Sequence, residues 1–346
     1  MDGGAVLSQI MIPLQNIPIL IDRAYKDGLH AVSPAPLRPR RKVAVVGIPR
    51  SGTSWVGRVL ALGRSVSYSY EPEVPFKERY MQMYIPPSAS DPEFFTFIDD
   101  CINGRLQRAE DYRPLSTAQL LKRPFADNVL VKWVRFPLVL DWIAVNFPEL
   151  RVLQTIRHPI PLFLSWEQRG WNLNKSLDRI REKPELMDGP LARYRSVIES
   201  VEGDWPSAAA FWCCNVTMQI NAIRDGWMLR EHEWFCLDPE SRFRRVFDYF
   251  GFEWTPEVDS FLHGSRSERV RGTPEPRDTQ AEVHKWEGKV TDSVLREVLE
   301  VMAAFDVPVY PGLDPEALVC EQIEAELLKR ARGTDGNQAV DLQEPI

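Results

Sequence analysis

Residues 42–55 read KVAVVGIPRSGTSW, and this stretch decides the fold. Its β-branched and small apolar residues predict a buried strand that ends at Gly47, and Thr53-Ser54-Trp55 leads into a helix-compatible run. Between them lies a loop that contains Arg50 and Gly52. Small residues let such a loop turn several backbone N–H groups inward, while the positive end of the helix lies behind them. The stretch therefore predicts an anion-binding strand, loop and helix.

The loop matches the nucleotide-binding pattern G-x-x-x-x-G-K-S/T except at one position. Gly47, Gly52 and Ser54 fall in register, but Thr53 stands where nucleotide triphosphatases carry lysine. The cation comes earlier in the loop, at Arg50. Because the lysine normally reaches the terminal phosphates of the nucleotide, a kinase or ATPase loses its main residue here. A plain Gly/Ser turn between strand and helix stays an alternative for the loop alone.

The composition limits the class of protein. The chain has 346 residues, of which 44% are hydrophobic and 26% are charged, which suits one large α/β domain or two smaller ones. A net charge of -7 argues against a dedicated nucleic-acid binder, because neutralising phosphates requires a basic face. The sequence leaves the oligomeric state open.

The cysteines and the N-terminal segment predict the compartment. Five cysteines, with Cys213 next to Cys214, give neither a disulfide framework nor the spacing of zinc ligands, so we expect buried free thiols and no metal. The apolar segment 10–21 is interrupted by Gln15, Asn16 and two prolines and has no basic lead-in. It is therefore expected to be neither a signal peptide nor a membrane span. A cytoplasmic location is the default expectation.

The chain divides into a lead-in, one domain and a tail. Residues 1–41 form an extended, proline-stiffened approach, and residues 42–330 form a single α/β domain. The tail, residues 331–346, is predicted to be disordered. Two segments, 75–127 and 167–204, are predicted to be insertions that form the walls of a binding site, and the second is expected to be a mobile flap.

Further strands place polar residues at one edge of the predicted sheet. Residues 67–70 form a second strand that ends in Glu71-Pro72-Glu73, and residues 128–133 form a third. A helix over 138–147 and a strand over 151–156 complete a βαβ crossover of a parallel sheet. Arg157-His158-Pro159 follows this strand, where open α/β sheets place ligand-contacting groups. The later predicted elements are helices over 206–228, 239–250 and 292–305 and a strand within 228–237.

Two segments together resemble the sulfotransferases that use 3′-phosphoadenosine 5′-phosphosulfate (PAPS). Residues 49–55 are similar to the loop that holds the 5′-phosphosulfate. Arg157-His158-Pro159, with Ser165 eight positions after Arg157, is similar to the motif that holds the 3′-phosphate. The resemblance implies a P-loop-type central parallel β-sheet flanked by helices, with helical and loop insertions that form the acceptor site. It also implies transfer of the sulfuryl group from PAPS to an acceptor hydroxyl, without a metal.

The resemblance gives roles to individual residues of the donor site. Arg50 would stabilise charge on the transferring group, and Trp55 would stack on adenine, although a core-facing tryptophan is an equal alternative. Arg157 and Ser165 would bind the 3′-phosphate. The residues implied to hold the 5′-phosphate are Ser51, Gly52, Thr53 and Ser54.

Glu71 is the implied general base and Lys132 the residue that steadies the transferring sulfate. Their spacing from Arg50 and Arg157 is nearest to the tyrosylprotein branch of the family. Glu73 is the second candidate for the base.

A late segment, Lys285-Trp286, is similar to a donor-contacting segment of the same branch. Arg271 and His232 depart from that branch, where a serine and a tyrosine are expected, which weakens protein tyrosine as the acceptor. The acceptor is left open: a small molecule such as a phenol, a glycan, a lipid-linked hydroxyl or a peptide. A P-loop kinase or other phosphotransferase is the alternative enzyme, and a nucleotide-binding scaffold is the non-enzymatic alternative.

Overall fold

The computed structural model describes residues 39–106, 123–263 and 278–334, together with Tyr25, Gly28, Ala35, Pro36 and Leu121. Within these ranges the chain builds a five-stranded parallel sheet in the order β2-β3-β1-β4-β5. The strands are β1 (Arg41–Val46), β2 (Val66–Tyr70), β3 (Asn128–Trp133), β4 (Arg151–Ile156) and β5 (Met228–Glu231). The predicted α/β class with a central parallel sheet is confirmed.

Helices cover both faces of the sheet, and none in the described ranges is both long and apolar enough to cross a bilayer. They are α1 (Thr53–Ala61), α2 (Lys77–Tyr80), α3 (Pro92–Ile102), α4 (Leu140–Asn146), α5 (Pro159–Glu167), α6 (Leu173–Arg181), α7 (Pro184–Met187), α8 (Arg195–Ser200), α9 (Asp204–Asn221), α10 (His232–Leu237), α11 (Pro239–Phe250), α12 (Pro256–His263), α13 (Thr279–His284), α14 (Asp292–Ala304) and α15 (Cys320–Thr334).

The central strand β1 explains how the sheet holds these helices. Alternate side chains of a strand point to opposite faces. Accordingly, Ala44 and Val46 join the apolar core that contains α3 and α4, whereas Val43 and Val45 join the core that contains α1 and α11. A strand that is buried on both faces requires an uninterrupted apolar run, which is the pattern that β1 has.

The register brings the carboxyl ends of neighbouring strands to one edge. Val46 of β1 pairs with Trp133 of β3 on one side and with Gln154 of β4 on the other. On the outer side of β3, Tyr70 of β2 pairs with Lys132. The residues that follow these strands therefore lie together at the edge where parallel sheets bind ligands.

Several predicted elements differ from the structure. The short strand predicted within 228–237 is present as β5, but residues 232–237 form the helix α10, which was not predicted and which buries Glu233 and its neighbours. The helix predicted over 206–228 ends at Asn221, before a turn at Gly226 with φ of 81°. Helix α15 continues to Thr334, so the disordered tail predicted from 331 begins too early; residues 335–346 lie outside the described residues.

The segment 167–204, expected to be a mobile flap, is helical and packed. It contains α6, α7 and α8, and side chains such as Leu177, Ile180 and Leu186 are fully buried in the core around α9. The polar residues that suggested a loop occupy the outer face of these helices. Part of the other insertion, residues 107–120 and 122, lies outside the described residues, as do residues 264–277, which include Arg271.

Candidate active site

The loop between β1 and α1 needs both of its glycines. Gly52 has φ of 88°, and a Cβ placed there would lie 2.1 Å from Nδ1 of His232. A Cβ at Gly47 would lie 2.5 Å from the carbonyl oxygen of Thr155. Arg50 is also left-handed, with φ of 77°, a conformation that costs a side-chain-bearing residue roughly 1–3 kcal/mol. The backbone of the loop thus follows a tight path that requires glycine at positions 47 and 52.

Helix α1 begins immediately after this path. The N–H groups of Trp55 and Val56 bond to the carbonyl oxygen of Gly52, at 3.0 and 3.2 Å. The earlier N–H groups of the helix have no carbonyl within the helix to bond to, and they carry the positive end of its dipole. Ser51 and Thr53 are buried at this end, and Ser54 is half-buried. The predicted order of strand, loop and helix is therefore present, and anion binding at this helix end stays a prediction.

The two sequence segments that suggested a donor site meet in space. Nε of Arg50 donates a 2.8 Å hydrogen bond to Oγ of Ser165, and Nη1 of Arg157 donates to the carbonyl oxygen of Arg50 at 3.1 Å. The hydroxyls of Ser51 and Thr155 lie 3.3 Å apart. Arg157 keeps a buried Nε with no hydrogen-bond partner among the described residues. An unpaired, buried guanidinium N–H is a group that an anionic ligand would satisfy.

A second group of polar residues lies at the ends of β2 and β3. The ammonium of Lys132, only 1% exposed, forms an ion pair with Glu71, which is 22% exposed. It also donates to Oγ of Ser54 at 2.9 Å and lies 4.3 Å from the centre of the Tyr70 ring. The hydroxyl of Tyr70 in turn lies 3.1 Å from Oγ of Ser54. The predicted base and the predicted cation are thus direct partners, and Ser54 links them to the loop.

Glu71 and Glu73 differ in what their carboxylates can reach. Glu71 keeps access to solvent and has a left-handed backbone, with φ of 49°. Glu73 is fully buried, and its Oε1 accepts the backbone N–H of Val134 at 2.7 Å. Burial, followed by the negative charge of Glu71, raises the pKa of Glu73 to about 7. A carboxylate that is sealed and held by the backbone suits a positioning role better than direct contact with an acceptor.

Trp55 packs at the start of α1 among other aromatic rings. Its ring centre lies 5.8 Å from that of His232 and 5.2 Å from that of Phe243, both edge-on. Burial, together with the positive charge of Arg157, lowers the pKa of His232 well below its ordinary value, so this imidazole is neutral. Trp55 remains half-buried, so its stacking on adenine stays a prediction.

The late Lys285-Trp286 segment is placed differently from the loop. Trp286 is buried and stacks on His158, with ring centres 4.6 Å apart. Lys285 is exposed, and its ammonium donates to Glu282 at 2.7 Å. Neither side chain takes part in the hydrogen bonds that join the loop to Arg157. A donor-binding role for either residue stays a prediction.

Sequence reasoning missed Tyr70 and Thr155. Tyr70 immediately precedes Glu71 on β2, and Thr155 lies two residues before Arg157 on β4. A polar residue near the end of a buried parallel strand is the available signal, because such a group must find a partner at that edge of the sheet.

Among the described residues, the side chains that could together hold a metal ion are Glu240, Asp259 and His263, none of which belongs to the loop. Arg244 pairs with both Glu240 and Asp259, and His263 bonds to Glu240 at 3.1 Å. These contacts account for the cluster as a surface ion-pair network.

Comparisons with known proteins give matches in structure only. No protein-family model and no curated protein sequence matches the chain. The sulfotransferase domain from the curacin biosynthetic pathway is 13% identical, with a TM-score of 0.40, over 78% of this chain and 98% of that chain. Mouse sulfotransferase SULT7A1 complexed with PAP is 12% identical, with a TM-score of 0.42, over 88% of this chain and 95% of that chain.

A third similar structure is sulfotransferase STF9 from Mycobacterium avium, 16% identical with a TM-score of 0.36, over 87% of this chain and 88% of that chain. Identities and TM-scores this low leave the activity, the donor and the acceptor to be inferred from the residues of the chain itself.

Proposed function

We propose that this protein is a sulfotransferase that moves a sulfuryl group from PAPS to a hydroxyl of an acceptor. The observation that carries the proposal is the meeting of Arg50, Ser165 and Arg157 at the end of a strand–loop–helix unit. Two segments that are far apart in the chain thereby lie together at one edge of the sheet, which supports an anion site there. The nearness of the motif spacing to the tyrosylprotein branch stays a prediction.

The residues present fit a donor with phosphate at two positions. The 5′-phosphosulfate would lie on the backbone N–H groups and hydroxyls of Ser51, Gly52, Thr53 and Ser54, at the positive end of α1. The 3′-phosphate would be bound by the free Nε of Arg157 and by Ser165. This second anion site distinguishes PAPS from ATP, which has no 3′-phosphate.

The chemistry requires a base and positive charge near the transferring group. The acceptor oxygen would bond to sulfur as the bond between sulfur and the 5′-phosphate oxygen breaks, and Glu71 would take the hydroxyl proton. Lys132, held against Glu71 and Ser54, supplies a buried positive charge beside the loop. In a site shielded from water this charge acts strongly on developing negative charge. Arg50 supplies a further cation from the loop.

The kinase alternative lacks the residue it most needs. Thr53 occupies the lysine position at the first turn of α1, and because its side chain is short and uncharged it cannot present a cation to terminal phosphates. The described residues of the loop thus offer Arg50 as their cation, which is suited to a singly charged sulfuryl group.

Donor binding tests the proposal before any acceptor is known. Isothermal titration in EDTA should show micromolar binding of adenosine 3′,5′-bisphosphate (PAP) and no comparable binding of ATP. Arg157→Gln should weaken PAP by about 10-fold or more, because a charge-assisted hydrogen bond is lost. Arg151→Gln is the matched control, since Arg151 lies at the opposite end of β4 against the Tyr249 ring. Binding of ATP that requires Mg²⁺, with no binding of PAP, would instead support a phosphotransferase.

A further inference from the structure

A cavity of about 410 Å³ opens beside the loop that carries Arg50. Ile48 and Pro49 of the loop form one side, and Val134 and Arg135, which follow β3, form another. The volume suits a small molecule rather than a polymer segment that lies along a surface. Because the cavity adjoins both the loop and the end of β3, a compound bound there lies next to the proposed sulfuryl site.

One wall of the cavity is aromatic. Trp166, Trp171 and Phe211 line it. The indole of Trp166 is fixed, because its Nε1 donates to the carbonyl oxygen of Pro49 at 3.0 Å and the side chain is buried. Trp171, by contrast, is 43% exposed, an unusual degree for so large an apolar side chain. A fixed indole at the loop and an exposed one at the rim provide a surface for an apolar or aromatic body.

Another part of the cavity lining is positively charged. Arg135, Lys175 and Arg179 line the cavity, and none of the described residues that line it is an aspartate or glutamate. Acidic groups do lie behind two of these cations. Glu78, 78% exposed, is 3.9 Å from Arg179, and the buried Glu73 is 3.8 Å from Arg135. Both separations exceed the length of a hydrogen bond, so each cation keeps bonding capacity for a ligand.

Of these three cations, Arg135 is the one whose buried N–H groups lack hydrogen-bond partners in the described part of the chain. Its guanidinium side chain is 15% exposed, and Nε and Nη1 are buried with no hydrogen-bond partner among the described residues. Buried guanidinium N–H groups are normally paired, so Arg135 has donors that no described protein group uses. A guanidinium with unused donors is a suitable partner for a carboxylate. Burial raises the pKa of Glu73 to about 7, so near neutral pH a part of the protein carries Glu73 as the uncharged acid. Glu73 therefore neutralises the charge of Arg135 only in part.

We infer that the acceptor is a small hydroxy-carboxylic acid with an apolar or aromatic body. Arg135 binds its carboxylate, with Lys175 and Arg179 adding positive charge, and the body lies against Trp166 and Trp171. The hydroxyl is thereby directed towards the loop. This inference rests on the proposed sulfotransferase function and adds the class of acceptor to it.

The test compares the binding of a hydroxy acid with that of its uncharged methyl ester. Titration of PAP-saturated protein with para-hydroxyphenylacetate and with its methyl ester should show tighter binding of the acid by at least about 10-fold, the effect expected of a charge-assisted bond. Transfer of radiolabelled sulfate from PAPS should show the same preference in kcat/KM. Arg135→Gln should remove the preference by weakening the acid alone, and Arg135→Lys should keep part of it. Arg195→Gln, which alters an exposed arginine paired with Asp188 and Glu199, is the control and should change nothing.

The outcomes separate this inference from the function on which it rests. Equal binding of acid and ester, or an equal loss of both in Arg135→Gln, overturns the acceptor class while PAP binding and transfer to neutral acceptors persist. Absence of PAP binding and of any transfer overturns the proposed function, and the inference falls with it.

Discussion

Replacing Glu73 by glutamine should stabilise the protein at pH 8 and have a much smaller effect at pH 5. Burial and then the charge of Glu71 raise the pKa of Glu73 from 4.5 to about 7 in the folded state. The folded protein therefore binds this proton more tightly than the unfolded chain does. The resulting stabilisation is complete below about pH 4.5 and is lost as the pH rises through about 7.

The size of the effect follows from the difference between the two pKa values. It corresponds to about 3 kcal/mol at pH 8 and less than about 1 kcal/mol at pH 5. Glutamine mimics the protonated acid, because its amide oxygen can still accept the N–H of Val134 and its amide nitrogen replaces an Oε2 that has no partner. For a chain of this length, about 3 kcal/mol corresponds to a rise in Tm of roughly 4–5 °C.

Urea unfolding followed by tryptophan fluorescence at pH 5 and pH 8 measures this difference. Glu253→Gln is the control, since Glu253 forms a surface ion pair with Arg64 and its replacement should not alter the pH dependence in this way. A Glu73→Gln protein that is less stable than the wild type at pH 8, or that differs by the same amount at both pH values, would refute the reasoning.

Two further substitutions test the site. Gly52→Ala should lower the free energy of unfolding by at least about 2 kcal/mol and abolish PAP binding, because its Cβ would meet His232. Gly170→Ala, at a similar φ of 64° but in open space, should cost only about 1 kcal/mol; equal losses in the two variants would contradict this explanation. Lys132→Met should reduce kcat about 100-fold or more with PAP affinity nearly unchanged. Lys42→Met, which breaks an ion pair at the other end of the sheet, should leave kcat unaffected, and an equal fall in both variants would show a structural effect.

The fold could be predicted where the chain is buried on both faces. The strands 128–133 and 151–156 have the predicted bounds, because each is rich in the β-branched and apolar residues that a buried parallel strand needs. A short strand was predicted within residues 228–237, and β5 occupies 228–231. The helix over 232–237 was not predicted, because a short apolar run is compatible with a buried helix and with a buried strand.

The site could be predicted in part for a related reason. Parallel strands deliver their carboxyl ends to one edge, which is enough to bring Arg50 and Arg157 together and to place Glu71 beside Lys132. The burial of Glu73 and the two N–H groups of Arg135 that lack hydrogen-bond partners within the described ranges could not be predicted, because they depend on which helices close over that edge. Such properties arise from tertiary packing and have no local sequence signal.

The most direct measurement is transfer of radiolabelled sulfate from PAPS in the presence of EDTA, by the wild type and by Glu71→Gln. We expect the wild type to label a hydroxyl acceptor without metal. Glu71→Gln should transfer at least about 100-fold more slowly while its PAP affinity stays within about threefold, because it removes the base and leaves the donor site intact. Full activity of Glu71→Gln would contradict the role of Glu71, and phosphate transfer from ATP with Mg²⁺ in place of sulfate transfer would contradict the proposed function itself.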